Sequence, residues 1–139
     1  MPSKLLVINQ EPFDREITRK IFYGKYELAF ASNVSELEPM LNFFSPEVIL
    51  YEIMQDSIEQ ITDVLVKTGL QQYQPPLVLV ISENSIDLEK AARACGVFYC
   101  LIRPFNLKEL WDALEAAFAY SVSKKAIFFD AAYPISKCN

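Results

Sequence analysis

Residues 77–105 read LVLVISENSIDLEKAARACGVFYCLIRPF, and this stretch decides the fold. Leu77–Ile81 is an unbroken apolar run, the most apolar in the chain. A run of that length without alternation predicts a strand covered on both faces, with a central place in a parallel sheet. Leu88, Ala91, Ala92 and Cys95 then recur at helical spacing, and Gly96 closes the helix. Phe98–Ile102 is apolar again and predicts the next strand. The order is therefore strand, helix, strand.

The same alternation runs outward in both directions. Lys4–Asn9, Tyr26–Ala31 and Val48–Tyr51 are short apolar runs that predict the first three strands. Between the first two, Pro12 suits the opening turn of a helix, and Asp14 and Glu16 lie near its positive end. Phe13, Ile17 and Ile21 form its expected buried stripe, and Gly24 its cap. Ser35-Glu36-Leu37-Glu38 has capping-box form, with Leu37, Leu41 and Phe44 facing inward until Pro46 breaks the helix. Asp56-Ser57-Ile58-Glu59 offers another cap, followed by an apolar face of Ile58, Ile61 and Leu65 that Gly69 ends. Asn106-Leu107-Lys108-Glu109 caps the last helix, whose stripe is Leu107, Leu110, Trp111, Leu114, Ala117 and Phe118. Five strands alternating with five helices imply a three-layer α/β domain, a parallel sheet covered on both faces. Residues 1–120 make up that domain. Residues 121–139 read as a C-terminal tail whose apolar patches, Ala126–Phe129 and Tyr133–Ile135, pack on their own domain or on a partner.

Composition narrows the function. The chain has 139 residues, 52% of them hydrophobic and 22% charged, which fits one globular domain. Its net charge is −5 and its longest basic cluster is Lys124-Lys125, so nucleic acid is not an expected partner. No apolar run approaches a membrane span, and the start lacks a signal-peptide pattern, so a cytoplasmic location is the expectation. Histidine is absent, which removes the commonest general base and metal ligand. Cys95, Cys100 and Cys138 have no C-x-x-C spacing; they read as two half-buried apolar side chains and a tail thiol. The only glycines, Gly24, Gly69 and Gly96, all sit at helix ends, which leaves none for a phosphate-cradling loop. The loop after the first strand, Asn9-Gln10-Glu11-Pro12-Phe13-Asp14, is acidic and does not suit a flavin phosphate. There is no G-x-S-x-G elbow for a hydrolase.

In an open parallel sheet, ligands meet the carboxyl ends of the strands. Here those ends carry Asn9, Gln10, Glu52, Ser82 and Arg103. Three local segments resemble the CheY-like receiver domain of bacterial response regulators. Val7–Pro12 is similar to the family's first-strand motif, with Asn9 and Gln10 where the family has two acids. Pro46–Met54 resembles the stretch ending in the phosphoaccepting aspartate, and Glu52 stands in that place. Arg103-Pro104-Phe105 resembles the family's Lys-Pro-Phe, and Ser82 falls where the family has a hydroxyl that contacts the phosphoryl group.

The resemblance, over residues 4 to 120, implies a flavodoxin-like, doubly wound, five-stranded parallel sheet of order 2-1-3-4-5. It implies a cis peptide before Pro104. It also implies a protein partner in two-component signal transduction, and a homodimer or target surface on the fourth helix, fifth strand and fifth helix, around Tyr99, Cys100 and Trp111. The family's switch aromatic falls at Cys100, with Tyr99 beside it.

The departures concentrate in one pocket. Magnesium needs carboxylate oxygens, and Asn9 and Gln10 carry none. Glu52 reaches one methylene further than aspartate, and in-line transfer tolerates little displacement. The expectation is a pseudo-receiver without a cofactor, a metal or an enzymatic activity, acting through protein contacts independently of phosphorylation. The alternative is a receiver switched by unusual modification or phosphorylation of the Glu52/Ser82 pocket. Glu52 and Arg103 are opposite charges on neighbouring strand ends, and a guanidinium fork fits a carboxylate in bidentate fashion. Two readings of that pair stand: a permanent imitation of the phosphorylated state, or an ordinary ion pair. The first requires the two side chains to lie within hydrogen-bond range.

Overall fold

The computed structural model describes residues 3–9, 12–53, 58–71, 73–82 and 86–132, with the side chains of 12–14 and 124–132 left aside. Its strands are β1 (Ser3–Ile8), β2 (Tyr26–Ala31), β3 (Val48–Glu52), β4 (Leu77–Ile81) and β5 (Tyr99–Ile102). Its helices are α1 (Pro12–Phe22), α2 (Leu37–Phe44), α3 (Ile58–Gly69), α4 (Ile86–Cys95) and α5 (Leu107–Ala132). All strand pairs are parallel and their order is β2-β1-β3-β4-β5. This is the flavodoxin-like order of the receiver fold. β3 takes the middle place, and β4, whose five residues are all buried, lies beside it.

Strand alternation splits the core in two. Leu5, Val7, Val48, Leu50, Val78, Val80 and Leu101 face α1 and α5. Leu6, Ile8, Ile49, Tyr51, Leu77, Leu79, Ile81 and Cys100 face α2, α3 and α4. The parity of the first set continues to Asn9, Glu52, Ser82 and Arg103, so the sheet itself gathers these four positions on the α1–α5 side. Backbone hydrogen bonds carry the ladder past the strand ends: Asn9 N–H to Ala31 O at 3.0 Å, Ile53 N–H to Val80 O at 3.0 Å, and Arg103 N–H to Ile81 O at 2.9 Å.

Several local expectations are corrected. Of the expected α1 stripe, Ile21 packs partly buried against the core, Ile17 is 42% exposed and the Phe13 side chain lies outside those described; the buried residues among the described ones are Thr18 and Phe22. α2 is entered through a 3₁₀ turn, Val34–Glu36, capped by Asn33 rather than by Ser35; Asn33 Oδ1 accepts from the Ser35 N–H at 2.9 Å. Ser45, in the left-handed region at φ 53°, ends that helix. Cys95 is exposed, because the buried positions of α4 are Leu88 and Ala92. The cap proposed at Asp56 and Ser57 lies outside the described residues. By contrast, Asn106 Oδ1 does accept from the Glu109 N–H, at 2.8 Å.

α5 closes one side of the domain. Phe22 meets Trp111 edge-on at 5.2 Å, Tyr26 stacks on Phe118 at 4.8 Å, and the Lys25 ammonium lies 4.0 Å over the Trp111 ring. Trp111 is thus half-buried in an aromatic cluster between α1 and α5. The helix runs unbroken through residue 120 to Ala132, and its far turns carry the apolar segment that begins at Ala126.

Candidate functional site

The carboxyl ends of β1 and β3 flank the point where the chain reverses its winding, and a crevice opens there. Asn9 ends β1 and is 1% exposed. Its partner is Arg15, which carries no local mark in the sequence. Arg15 Nε–H donates to Asn9 Oδ1 at 3.0 Å, and its Nη2 donates to the Asn9 carbonyl at 3.1 Å and to Ser32 Oγ at 2.8 Å. The guanidinium also lies 5.6 Å over the Phe30 ring, which Arg19 covers at 4.8 Å. This set of contacts fixes the Asn9 amide. Its oxygen must face Arg15, so its nitrogen is the donor on the other side, and that Nδ2 is buried with no acceptor.

Arg15 was legible only as one cation within a charged helix, Asp14-Arg15-Glu16. Nothing local marks it. Its partners come from β1 and β2, and they meet only once those strands pair.

Glu52 ends β3, and Arg103 follows β5. Arg103 Nη2 donates to Glu52 Oε2 over 3.4 Å. The acid's side chain is 15% exposed and the base's 36%. The separation lies inside hydrogen-bond range, as the imitation reading requires, but the geometry is a single long contact rather than the short bidentate fork. The Arg103–Pro104 peptide bond is cis. Ser82 is half-buried at the end of β4 on the same side of the sheet. Gln10 lies outside the described residues.

The divalent cation that the family resemblance implies does not fit this donor set. Both acceptor oxygens of Asn9 are engaged by a guanidinium, its remaining polar atom is a donor, and Glu52 leans toward a second guanidinium. Hard cations need several oxygen acceptors with negative charge among them. Among the described residues no three His, Cys, Asp or Glu side chains converge.

On the expected interaction surface, Tyr99 is 44% exposed but Cys100 is 4% exposed. By strand alternation Cys100 faces the core beneath α4, so it is corrected from a contact residue to a core residue. Burial, with Glu89 adding to it and Arg93 opposing, pushes its thiol up to about 11 from 9.0. Such a thiol is a poor nucleophile.

No protein-family model and no curated protein sequence matches the chain. Many solved structures do. The signal receiver domain of an HD domain-containing protein from Pseudomonas fluorescens Pf-5 superposes with a TM-score of 0.77 at 15% identity, over 90% of this chain and 93% of that one. The CheY-like receiver domain protein from Methanospirillum hungatei JF-1 gives 0.74 at 15% identity, over 89% and 99%. Chemotaxis protein CheY4 of Vibrio cholerae gives 0.71 at 19% identity, over 84% and 99%. At these identities the likeness establishes the receiver fold.

Proposed function

We propose that this chain is a receiver-type signalling module that works through protein contacts without aspartyl phosphorylation. The observation that carries the proposal is Arg15. A resident guanidinium holds the β1-end oxygens at 3.0 and 3.1 Å, where phosphoryl transfer would need a cation-binding carboxylate. Glu52, the residue in the acceptor position, is paired with Arg103 and reaches one methylene too far. The fold likeness supports the receiver reading, and the chemistry of the pocket supports its independence from phosphate.

The module is non-enzymatic and cytoplasmic in this proposal, and of bacterial two-component type. Its target surface is built from α4, β5 and α5, with Tyr99 as the exposed aromatic. That face, or the region beyond residue 120, brings two copies together. Incubation with acetyl phosphate and magnesium, followed by intact-mass measurement, tests the central claim. The expected result is an unchanged mass. A phosphoryl adduct would overturn it and would favour the alternative, modification at Glu52 or Ser82, which peptide mapping would separate.

A further inference from the structure

Beneath the Glu52–Arg103 pair lies a cavity of about 310 Å³ between α1 and α5. Its floor is Leu50 and Val80, its walls are Ile21, Phe22 and Leu110, and Ile17 stands at its rim. Both charged side chains line it, at its strand end, and Thr18 adds a hydroxyl-bearing side chain. The exposure of Ile17 has its cause here. α1 does not close onto α5 at this level, so the residue looks into a space that no side chain among the described residues fills.

An apolar chamber of this size with a few convergent polar groups is the usual form of a small-ligand site. The charges select the ligand. A monocation would repel Arg103 and a monoanion would repel Glu52, and either would bring an uncompensated charge against apolar walls. A zwitterion brings none. Its ammonium can lie on the Glu52 carboxylate and its carboxylate on the Arg103 guanidinium, as a dipole antiparallel to that of the pair. Among the described residues the guanidinium makes this one hydrogen bond, at 3.4 Å, so it has further N–H groups to offer a ligand, and it is accessible at 36% exposure.

We infer that the α1–α5 cavity binds an apolar α-amino acid, its head group bridging Glu52 and Arg103 and its side chain lying between Ile21, Phe22 and Leu110. This deepens the proposed function, since it makes the pair at the former acceptor position the receptor of a small molecule rather than of a phosphoryl group.

Trp111 is the chain's only tryptophan and packs on Phe22, a wall of the cavity, so its fluorescence reports occupancy through that contact. The experiment titrates the full chain with leucine and with phenylalanine, and in parallel with 4-methylpentanoate and isopentylamine, which keep the apolar tail and one charge each. The expected result is a saturable change with an amino acid at Kd of about 1 mM or tighter, and binding of both single-charge analogues about tenfold weaker or more. Glu52→Gln and Arg103→Gln each weaken the amino acid about tenfold, as expected for loss of one charged hydrogen bond. Ile17→Phe, a rim substitution at an exposed position that keeps Trp111 the sole tryptophan, blocks the cavity and abolishes the response while the far-ultraviolet circular dichroism stays unchanged. No saturable response to either amino acid, equal binding of the single-charge analogues, or wild-type binding by a folded Ile17→Phe protein overturns the inference. The mass test of phosphorylation reads independently. An adduct in a protein that binds amino acid breaks only the function proposed above, and an unmodified protein that binds nothing breaks only this one.

Discussion

The two arginines at the strand ends make an instructive contrast. Arg15 meets a neutral amide, a carbonyl and a hydroxyl, and makes three hydrogen bonds of 2.8 to 3.1 Å. Arg103 meets a full carboxylate and makes one contact of 3.4 Å. The formally stronger pairing is therefore the looser one. Burial explains the difference. Asn9 is sealed at 1% exposure, so its oxygens must be satisfied by protein. Glu52 and Arg103 keep part of their hydration, and an ion pair in partial solvent gains little by tightening. The β1–β2 half of the crevice is locked, and the Glu52–Arg103 contact on the β3–β5 half is looser.

The largest effect should fall on the locked half. Arg15→Ala leaves Asn9 Oδ1 and its carbonyl without their donors and removes the ring contact with Phe30. Urea unfolding should show a loss of about 2–3 kcal/mol. Arg103→Ala should cost about 0.5 kcal/mol, the range of a partly exposed ion pair. Equal losses would erase the contrast.

The looseness on the β5 side is expected to stop at the surface. Cys100 sits on β5 just below Arg103, and its thiol is raised to about 11 by burial. The folded state therefore keeps a proton that the unfolded chain releases above pH 9. Stability from this group is unchanged below that pH and falls as pH rises from 9.0 toward about 11. Tyr26 and Tyr51, also raised from 10.0 chiefly by burial, add losses of the same sign at still higher pH. The Cys100 contribution is at most about 3 kcal/mol. Cys100→Val should flatten the alkaline slope of the urea midpoint. Identical slopes would mean that β5 itself opens to solvent.

A smaller change sharpens the locked half. Asn9→Asp replaces the buried Nδ2 donor, which has no acceptor, with an oxygen and turns the Arg15 contact into an ion pair. A gain of about 1 kcal/mol is expected near neutral pH, lost again as pH falls through the carboxylate range. A loss instead would show that repulsion from Glu52 outweighs the pairing with Arg15.

Most of the architecture was legible because its signals are local. Leu77–Ile81 is bounded by Pro76 and Ser82, and β4 has those same limits. Asn106 caps α5 because the residue type and its position suffice. The failures are long-range. The stripe on α1 was misplaced because Ile17 borders an unfilled space whose other walls come from β3, β4 and α5. Arg15 was missed because an arginine between two acids reads as solvated, and its burial depends on Ser32 and Phe30. Of the pocket, the sequence revealed which charges were missing. It did not reveal which charge had taken their place.

α5 has one further consequence. Its 26 residues make a rod of about 39 Å, roughly twice the length of the strands it covers. Its first turns, at Leu107 and Leu110, line the cavity under Arg103. A stiff rod held at one end is a lever arm. A tilt of about 10° at the cavity would carry the far end through about 7 Å, enough to make or break a contact there. A sub-ångström event at the strand ends would thus be read out as a displacement larger than a helical rise of several residues.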